Sequence, residues 1–199
     1  MFIELAEFLR CPKDESEAYC VVLPDEMIGR LIVTGAIGCP ASQSEYPIEN
    51  GIADFCLADS ALQLPVPAED VSTDAETVHA LLGVATAGGY IVLIGSAGRL
   101  AVDLGEQVGG VHFVAFNPPA DVQPSSAVSV VRGPVPLPLR TSMARGVVVG
   151  REYAFEPWLT EAARILLKGL RMVVLRDDVT VPGMKTVASG EGVWVGSGL

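Results

Sequence analysis

Basic residues are scarce in this 199-residue chain: 13 Lys and Arg stand against 24 Asp and Glu, a formal net charge of −11. That deficit excludes a nucleic-acid binder that relies on overall positive charge. Charge of either sign is sparse, at 19% of residues, while half the residues are hydrophobic and mean hydropathy is +0.43. Such a chain has ample apolar surface for a core and is not globally disordered. Cysteine is missing beyond residue 56; Cys11, Cys20, Cys39 and Cys56 make up the whole set. Positive charge is also missing from Met1-Phe2-Ile3-Glu4-Leu5-Ala6-Glu7, and no long apolar stretch precedes Cys11-Pro12, so no export signal is visible. These absences point to a cytoplasmic protein whose cysteines pack or hold metal rather than form a disulfide framework. Repeats and low-complexity segments are lacking too.

Residues 77–98 contain no Asp, Glu, Lys or Arg, and that length would cross a bilayer. Gly83, Gly88, Gly89, Gly95 and Gly98, with an interior Ala-Gly-Gly, divide the run into helix, turn and buried strand instead. No membrane segment is expected.

The patterning divides the chain into a small α+β unit over residues 1–56, a linker over 57–72 with two prolines, and an α/β domain over 73–199. In the first unit, Phe2, Leu5, Phe8 and Leu9 recur at helical spacing and Cys11-Pro12 ends the helix. Strand-like runs follow at Ala18–Leu23 and Leu31–Thr34. Tyr46–Ile52 reads as a hairpin, because Asn50-Gly51 supplies the positive φ angles of a two-residue turn. In the second domain, Thr73 and Glu76 fit a capping box before a helix over 74–86. Strands are then expected at Tyr90–Ile94, Val111–Phe116, Ala127–Val131, Gly146–Val149 and Arg171–Leu175, alternating with helices at Arg99–Val108 and after Pro157. Gly169 suits the C-terminal cap of the latter helix. A last hairpin is expected through Thr186–Ala188 and Val193–Val195.

The ordered series Ile91-Val92-Leu93-Ile94-Gly95-Ser96-Ala97-Gly98, Val111–Asn117, Val131-Arg132-Gly133 with Leu137-Pro138-Leu139, and Glu161–Leu166 before Lys168-Gly169 resembles the class I S-adenosylmethionine-dependent methyltransferases over residues 74–176. Leu9-Arg10-Cys11-Pro12, Gly38-Cys39-Pro40 and Tyr46-Pro47-Ile48-Glu49-Asn50-Gly51-Ile52 resemble the short zinc-ribbon-like activators of tRNA and translation-factor methyltransferases. The resemblance implies a Rossmann-like methyltransferase sheet preceded by a small zinc-ribbon-like domain. It also implies S-adenosylmethionine as cofactor, with Gly95, Ser96, Gly98 and Asn117 along its edge, and a protein partner reached through the N-terminal domain.

Several residues depart from that pattern. The family's acid at the first strand falls at Leu93, its ribose-binding acid at Asn117, and its adenine-contacting acid at Gly133-Pro134; Ala97 and Arg99 replace glycines. Charge-assisted hydrogen bonds contribute about 1.5–3 kcal/mol each, so losing two or three weakens cofactor binding by orders of magnitude. A structural zinc site wants four ligands, whereas Cys11-Pro12-Lys13-Asp14 and Cys39-Pro40-Ala41-Ser42 leave two thiolates and one carboxylate. Packing is therefore expected in place of metal, with Cys20 and Cys56 in strand-like contexts. Asn117-Pro118-Pro119 reads as a turn, His79 as a helix-boundary residue, and Glu152 and Tyr153 as a solvated loop rather than acceptor-orienting groups. Gly95-Ser96-Ala97-Gly98-Arg99-Leu100 also departs from the Gly-x-Gly-x-x-Gly of dinucleotide-binding sheets. A local basic strip of Arg140, Arg145 and Arg151 is the one feature open to RNA. The expectation is thus a methyltransferase-like protein with impaired or lost catalysis, its acting residues unassigned. The alternative is a noncatalytic scaffold that partners another methyltransferase or a translation-related complex.

Overall fold

The structure, a computed structural model, describes residues 1–13, 17–56 and 64–198. A 3-10 helix, Ile3–Phe8, opens the chain and is followed by four antiparallel strands, β1 (Val21–Ile28), β2 (Leu31–Cys39), β3 (Ser44–Glu49) and β4 (Ile52–Asp54). Helix α1 (Ala75–Leu82) leads to β5 (Tyr90–Ile94), a 3-10 turn at Gly95–Leu100 and α2 (Ala101–Gln107). Next come β6 (His112–Phe116), β7 (Val128–Arg132), β8 (Ala144–Val149), α3 (Trp158–Ile165) and β9 (Leu166–Val174). The hairpin β10 (Met184–Gly190) and β11 (Val193–Gly198) ends the described chain.

All eleven strands join one sheet in the order β1-β2-β3-β4-β7-β6-β5-β8-β9-β11-β10. Strands β4, β7, β6, β5, β8 and β9 run parallel to one another, and β11 is inserted antiparallel to both β9 and β10. The apolar runs of β5 and β6 are buried on both faces, as central parallel strands require. Together with the helices on its faces, this is the Rossmann-like α/β arrangement.

The first unit is stitched into that sheet. Ile52, Ala53 and Asp54 pair with Val130, Val131 and Arg132, so β4 carries the meander directly onto β7. The connections from β6 to β7 (117–127) and from β7 to β8 (133–143) contain no helix. On one side of the sheet, the N-terminal 3-10 helix stands where a crossover helix would pack. Arg10 N–H donates to Pro138 O (3.1 Å), Arg140 N–H to Phe8 O (2.9 Å), and Leu9 bridges Leu139. The core on that side accordingly mixes Met1, Leu5, Leu9 and Tyr46 with Phe116, Leu137, Trp158 and Trp194. The opposite side buries α1 and α2 through Val78, Leu82 and Leu104 over Ile91, Phe113 and Val148. An ion network closes the seam: Arg10, 6% exposed, reaches Glu17 (3.0 Å) and Glu161 (3.7 Å), and Arg164 holds Glu161 (2.8 Å).

Local chemistry departs from expectation at three places. The cap of α1 is Asp74, whose Oδ1 accepts from Thr77 N–H (2.7 Å), and the helix stops at Leu82, before a left-handed Gly83. Thr73 and Glu76 therefore do not form the expected box, because the Asp74 carboxylate one position on accepts an orphan donor of the first turn, Thr77 N–H. Gly169 does not cap α3. The helix ends at Ile165, and Gly169, with φ +74, bends the long strand β9 that begins at Leu166. The N-terminal segment is a 3-10 rather than an α-helix. Part of the linker, 57–63, lies outside the described residues, as does Asp14. Among the described residues no helix is long and apolar enough to cross a membrane.

Candidate functional site

In a doubly wound sheet the binding crevice opens beyond the carboxyl ends of the strands, where the order reverses. Here β6 and β7 lie to one side of β5, and β8 and β9 to the other, so the switch lies between β5 and β8. Gly95 and Ser96 leave β5 at that point, and Gly150 leaves β8.

The crevice is filled by the turn after β8. Glu152 Oε1 accepts the Ser96 N–H (2.6 Å) and Glu152 Oε2 accepts the Ser96 hydroxyl (2.9 Å). Gly95 has φ +67, and a Cβ built there would overlap Glu152 Oε1 and lie 2.5 Å from Tyr153 Cδ2. Bare Cα atoms at Gly95 and Gly150 are thus needed to seat the chain's own carboxylate and phenol. Tyr153 is fully buried; its ring stands edge-on to Trp158 at 4.7 Å, and its hydroxyl donates to Pro65 O (3.4 Å). Burial pushes the Tyr153 phenol up, further raised by Glu152 and eased by Asn117.

The other expected site residues are engaged within the chain as well. A Cβ on Gly98 would come within 2.8 Å of Pro118 Cβ. Asn117 sits in the left-handed region at φ 46, a conformation asparagine tolerates. Its Nδ2 donates to Gly133 O (2.8 Å), and its Oδ1 accepts Gly133 N–H (2.9 Å). Both ends of that amide therefore tie the end of β6 to the end of β7. Arg99 turns outward, forking onto Asp121 (2.8 and 3.1 Å) and holding the carbonyls of Ala68 and Glu69 across the mouth. The positions expected along S-adenosylmethionine are thus engaged by the chain's own side chains, and Leu93, Asn117 and Gly133-Pro134 stand where acids are expected.

Beside the filled crevice lies a cavity of about 400 Å³, lined by Asp54, Cys56, Pro65, Asn117, Arg132 and Tyr153. Burial pushes the Cys56 thiol up to about 11, with Asp54 adding to the rise, so at neutral pH it is a thiol and a poor nucleophile. In the meander, Cys11 Sγ lies 3.1 Å from Ser42 Oγ, and Ser42 N–H donates to Cys39 Sγ (3.4 Å). Burial pushes Cys39 up, but hydrogen bonds from Ser42, Cys11 and Ala41 outweigh it and hold the thiol below its ordinary value. Among the described residues no three His, Cys, Asp or Glu side chains are grouped to hold a metal.

The remaining candidates separate. Arg140 stacks on the Tyr19 ring at 4.0 Å, whereas Arg145 donates to the carbonyls of Thr86, Ala87 and Gly88. Arg151 follows the opposite end of β8 from Arg145, so the three form no common strip. His79 faces Val84 O (3.1 Å) at the end of α1, the boundary place expected of it. Sequence reasoning missed the role of Glu152; its one local signal is a glycine two residues earlier, at the end of an apolar strand.

No family model matches the chain, and no curated protein does. Solved structures do. One is a putative sarcosine dimethylglycine methyltransferase from Galdieria sulphuraria, with 14% identity over 57% of this chain and 61% of that one, at a TM-score of 0.45. Another is a putative S-adenosyl-L-methionine-dependent methyltransferase from Methanococcus maripaludis, with 25% identity over 50% and 52%, at 0.42. A third is a complex between the Haloferax volcanii Trm112 methyltransferase activator and the putative methyltransferase, with 18% identity over 50% of each chain, at 0.41. Each of these matches spans less than two thirds of the solved chain.

Proposed function

We propose that this chain is a methyltransferase-like protein that has given up S-adenosylmethionine and acts in the cytoplasm as a noncatalytic interaction protein. One observation carries the reading: Glu152 and Tyr153 fill the space in front of Gly95 and Ser96. The carboxylate satisfies the backbone donor at the glycine turn, where negative charge is favoured. A cofactor would have to displace that charge-assisted bond and a buried tyrosine together, with neutral residues at Leu93, Asn117 and Gly133-Pro134 offering little in return. The N-terminal meander is the part proposed to meet a partner, since fold alone does not confer catalysis.

Calorimetry of the purified chain with S-adenosylmethionine and S-adenosylhomocysteine tests this. The expected result is no binding heat at millimolar cofactor. Micromolar binding that disappears in Gly95→Asp overturns the reading and restores a divergent methyltransferase.

A further inference from the structure

The meander β1–β3 has two unlike faces. Its registers place Val22, Ile37 and Tyr46 side by side on the inner face, against the core. The outer face carries Val21 and Leu23 on β1, Gly38 and Ala36 on β2, and Glu45 and Pro47 on β3. A one-sided antiparallel sheet should be polar outward, and β3 obeys with Glu45 and Glu49. Strand β1 does not: Val21 is 49% exposed and Leu23 60%. The helices of that side, α1 and α2, pack against β9 and β6, so among the described residues no helix covers this end of the layer.

We propose that the outer face of β1–β3 is the docking surface for a cationic amphipathic helix of a partner protein. Gly38 and Ala36 form a shallow trough along β2; a Cβ on Gly38 would meet nothing nearer than Val21 O at 4.0 Å. Strands β1 and β3 are two spacings apart, about 9.6 Å, close to the roughly 10 Å width of a helix. A helix lying over β2 therefore sets one flank on Val21 and Leu23 and the other beside the carboxylates of Glu45 and Glu49. Apolar and basic flanks satisfy both. A second copy of this chain, at −11, would oppose acid to acid. Strand addition at the β1 edge is discouraged by Pro24 and by the register shift between Pro24 and Glu26, so the face rather than the edge is the docking element.

This inference rests on the reading of the chain as an interaction protein. Its probe is a labelled 18-residue Leu/Lys peptide with leucines at i, i+3, i+4 and i+7, titrated with the full chain and followed by fluorescence anisotropy. Micromolar binding is expected. Leu23→Asp should weaken it at least tenfold, as should Glu45→Lys with Glu49→Lys, with far-ultraviolet circular dichroism unchanged in each variant. A Leu/Glu peptide should not bind. Absent binding, or affinity indifferent to both variants, overturns the proposal. So does a dimer in sedimentation equilibrium that Leu23→Asp dissolves, because the occupant is then a second copy. Cofactor heat with peptide binding intact would overturn the closed crevice and leave this surface standing.

Discussion

At the scale of single residues, Gly95 and Glu152 form a matched pair: one supplies a bare Cα and an amide, the other the carboxylate that covers them. Gly95→Ala should lower stability by about 2–4 kcal/mol, since a side chain there meets both positive φ and the buried Glu152-Tyr153 turn. Urea denaturation checks it, and an unchanged midpoint would mean that the turn is not packed as described. Glu152→Ala should cost about 1–3 kcal/mol, because it strands the Ser96 N–H.

His112 carries a pH dependence. Ser129 Oγ accepts the Phe2 N–H (2.9 Å) and is hydrogen-bonded to His112 Nε2 (2.9 Å). Burial first, then the nearby N-terminal ammonium, pushes His112 from 6.5 down to about 4. The unfolded chain takes up that proton earlier than the folded one. The His112 share of stability is therefore intact above about pH 6.5 and falls as pH drops toward 4, by up to about 3 kcal/mol, while the buried Met1 amine, lowered from 8.0 to about 5, adds a loss of the same sign that begins near pH 8. Denaturant midpoints measured from pH 8 to 4 should show the loss, and His112→Gln should make the slope below pH 6.5 shallower; identical slopes would assign the acid sensitivity to other groups.

At the scale of elements, the joint between meander and parallel sheet depends on a turn and an ion network. Asn50 and Gly51 take φ 51 and 79, and a Cβ on Gly51 would lie 3.1 Å from Pro124 Cβ. Gly51→Val should cost about 2 kcal/mol or more by straining this turn and pushing β4 from its place. Arg10→Leu should cost about 3 kcal/mol, since it removes one of two donors to the Leu137 carbonyl and leaves part of the Glu17 and Glu161 charge uncompensated. Thermal melts of the two variants check both.

This scale also marks how far the sequence could be read. Asn50-Gly51, the apolar run at Tyr90–Ile94 and the tail hairpin were legible, because each announces itself within a few residues. The parallel pairing of β4 with β7 was not, because Ile52–Asp54 and Val128–Arg132 carry no mark of one another across more than 70 residues. The cap of α1 was off by one position, since Thr73 and Asp74 both satisfy the local rule. Gly95, Ser96, Gly98 and Asn117 are named by the sequence as cofactor-edge candidates, but what faces them is not legible there. Glu152 lies 56 residues from Ser96, and an acid after a glycine looks like any exposed loop until the sheet brings β5 and β8 together.

At the scale of the whole molecule, the N-terminal segment and the parallel sheet share one core cluster, so they should unfold together. A single calorimetric transition is expected, with matching midpoints from a probe in the meander and one near Trp158. Removing residues 1–56 should yield an insoluble remainder, because it strips Met1, Leu5, Leu9 and Tyr46 from the face that holds Phe116 and Leu137. Two separated transitions would show that the seam is weaker than its contacts.

One further property follows from there being eleven strands in a single sheet. At about 4.8 Å per step the sheet reaches about 48 Å across, and at about 20–25° per step its strands corkscrew through more than half a revolution. The hairpin at one end and the meander at the other therefore look in nearly opposite directions. A molecule gripped at β1–β3 would hold its β10–β11 hairpin outward, like the far blade of a twisted ribbon, free to touch something its first partner cannot reach.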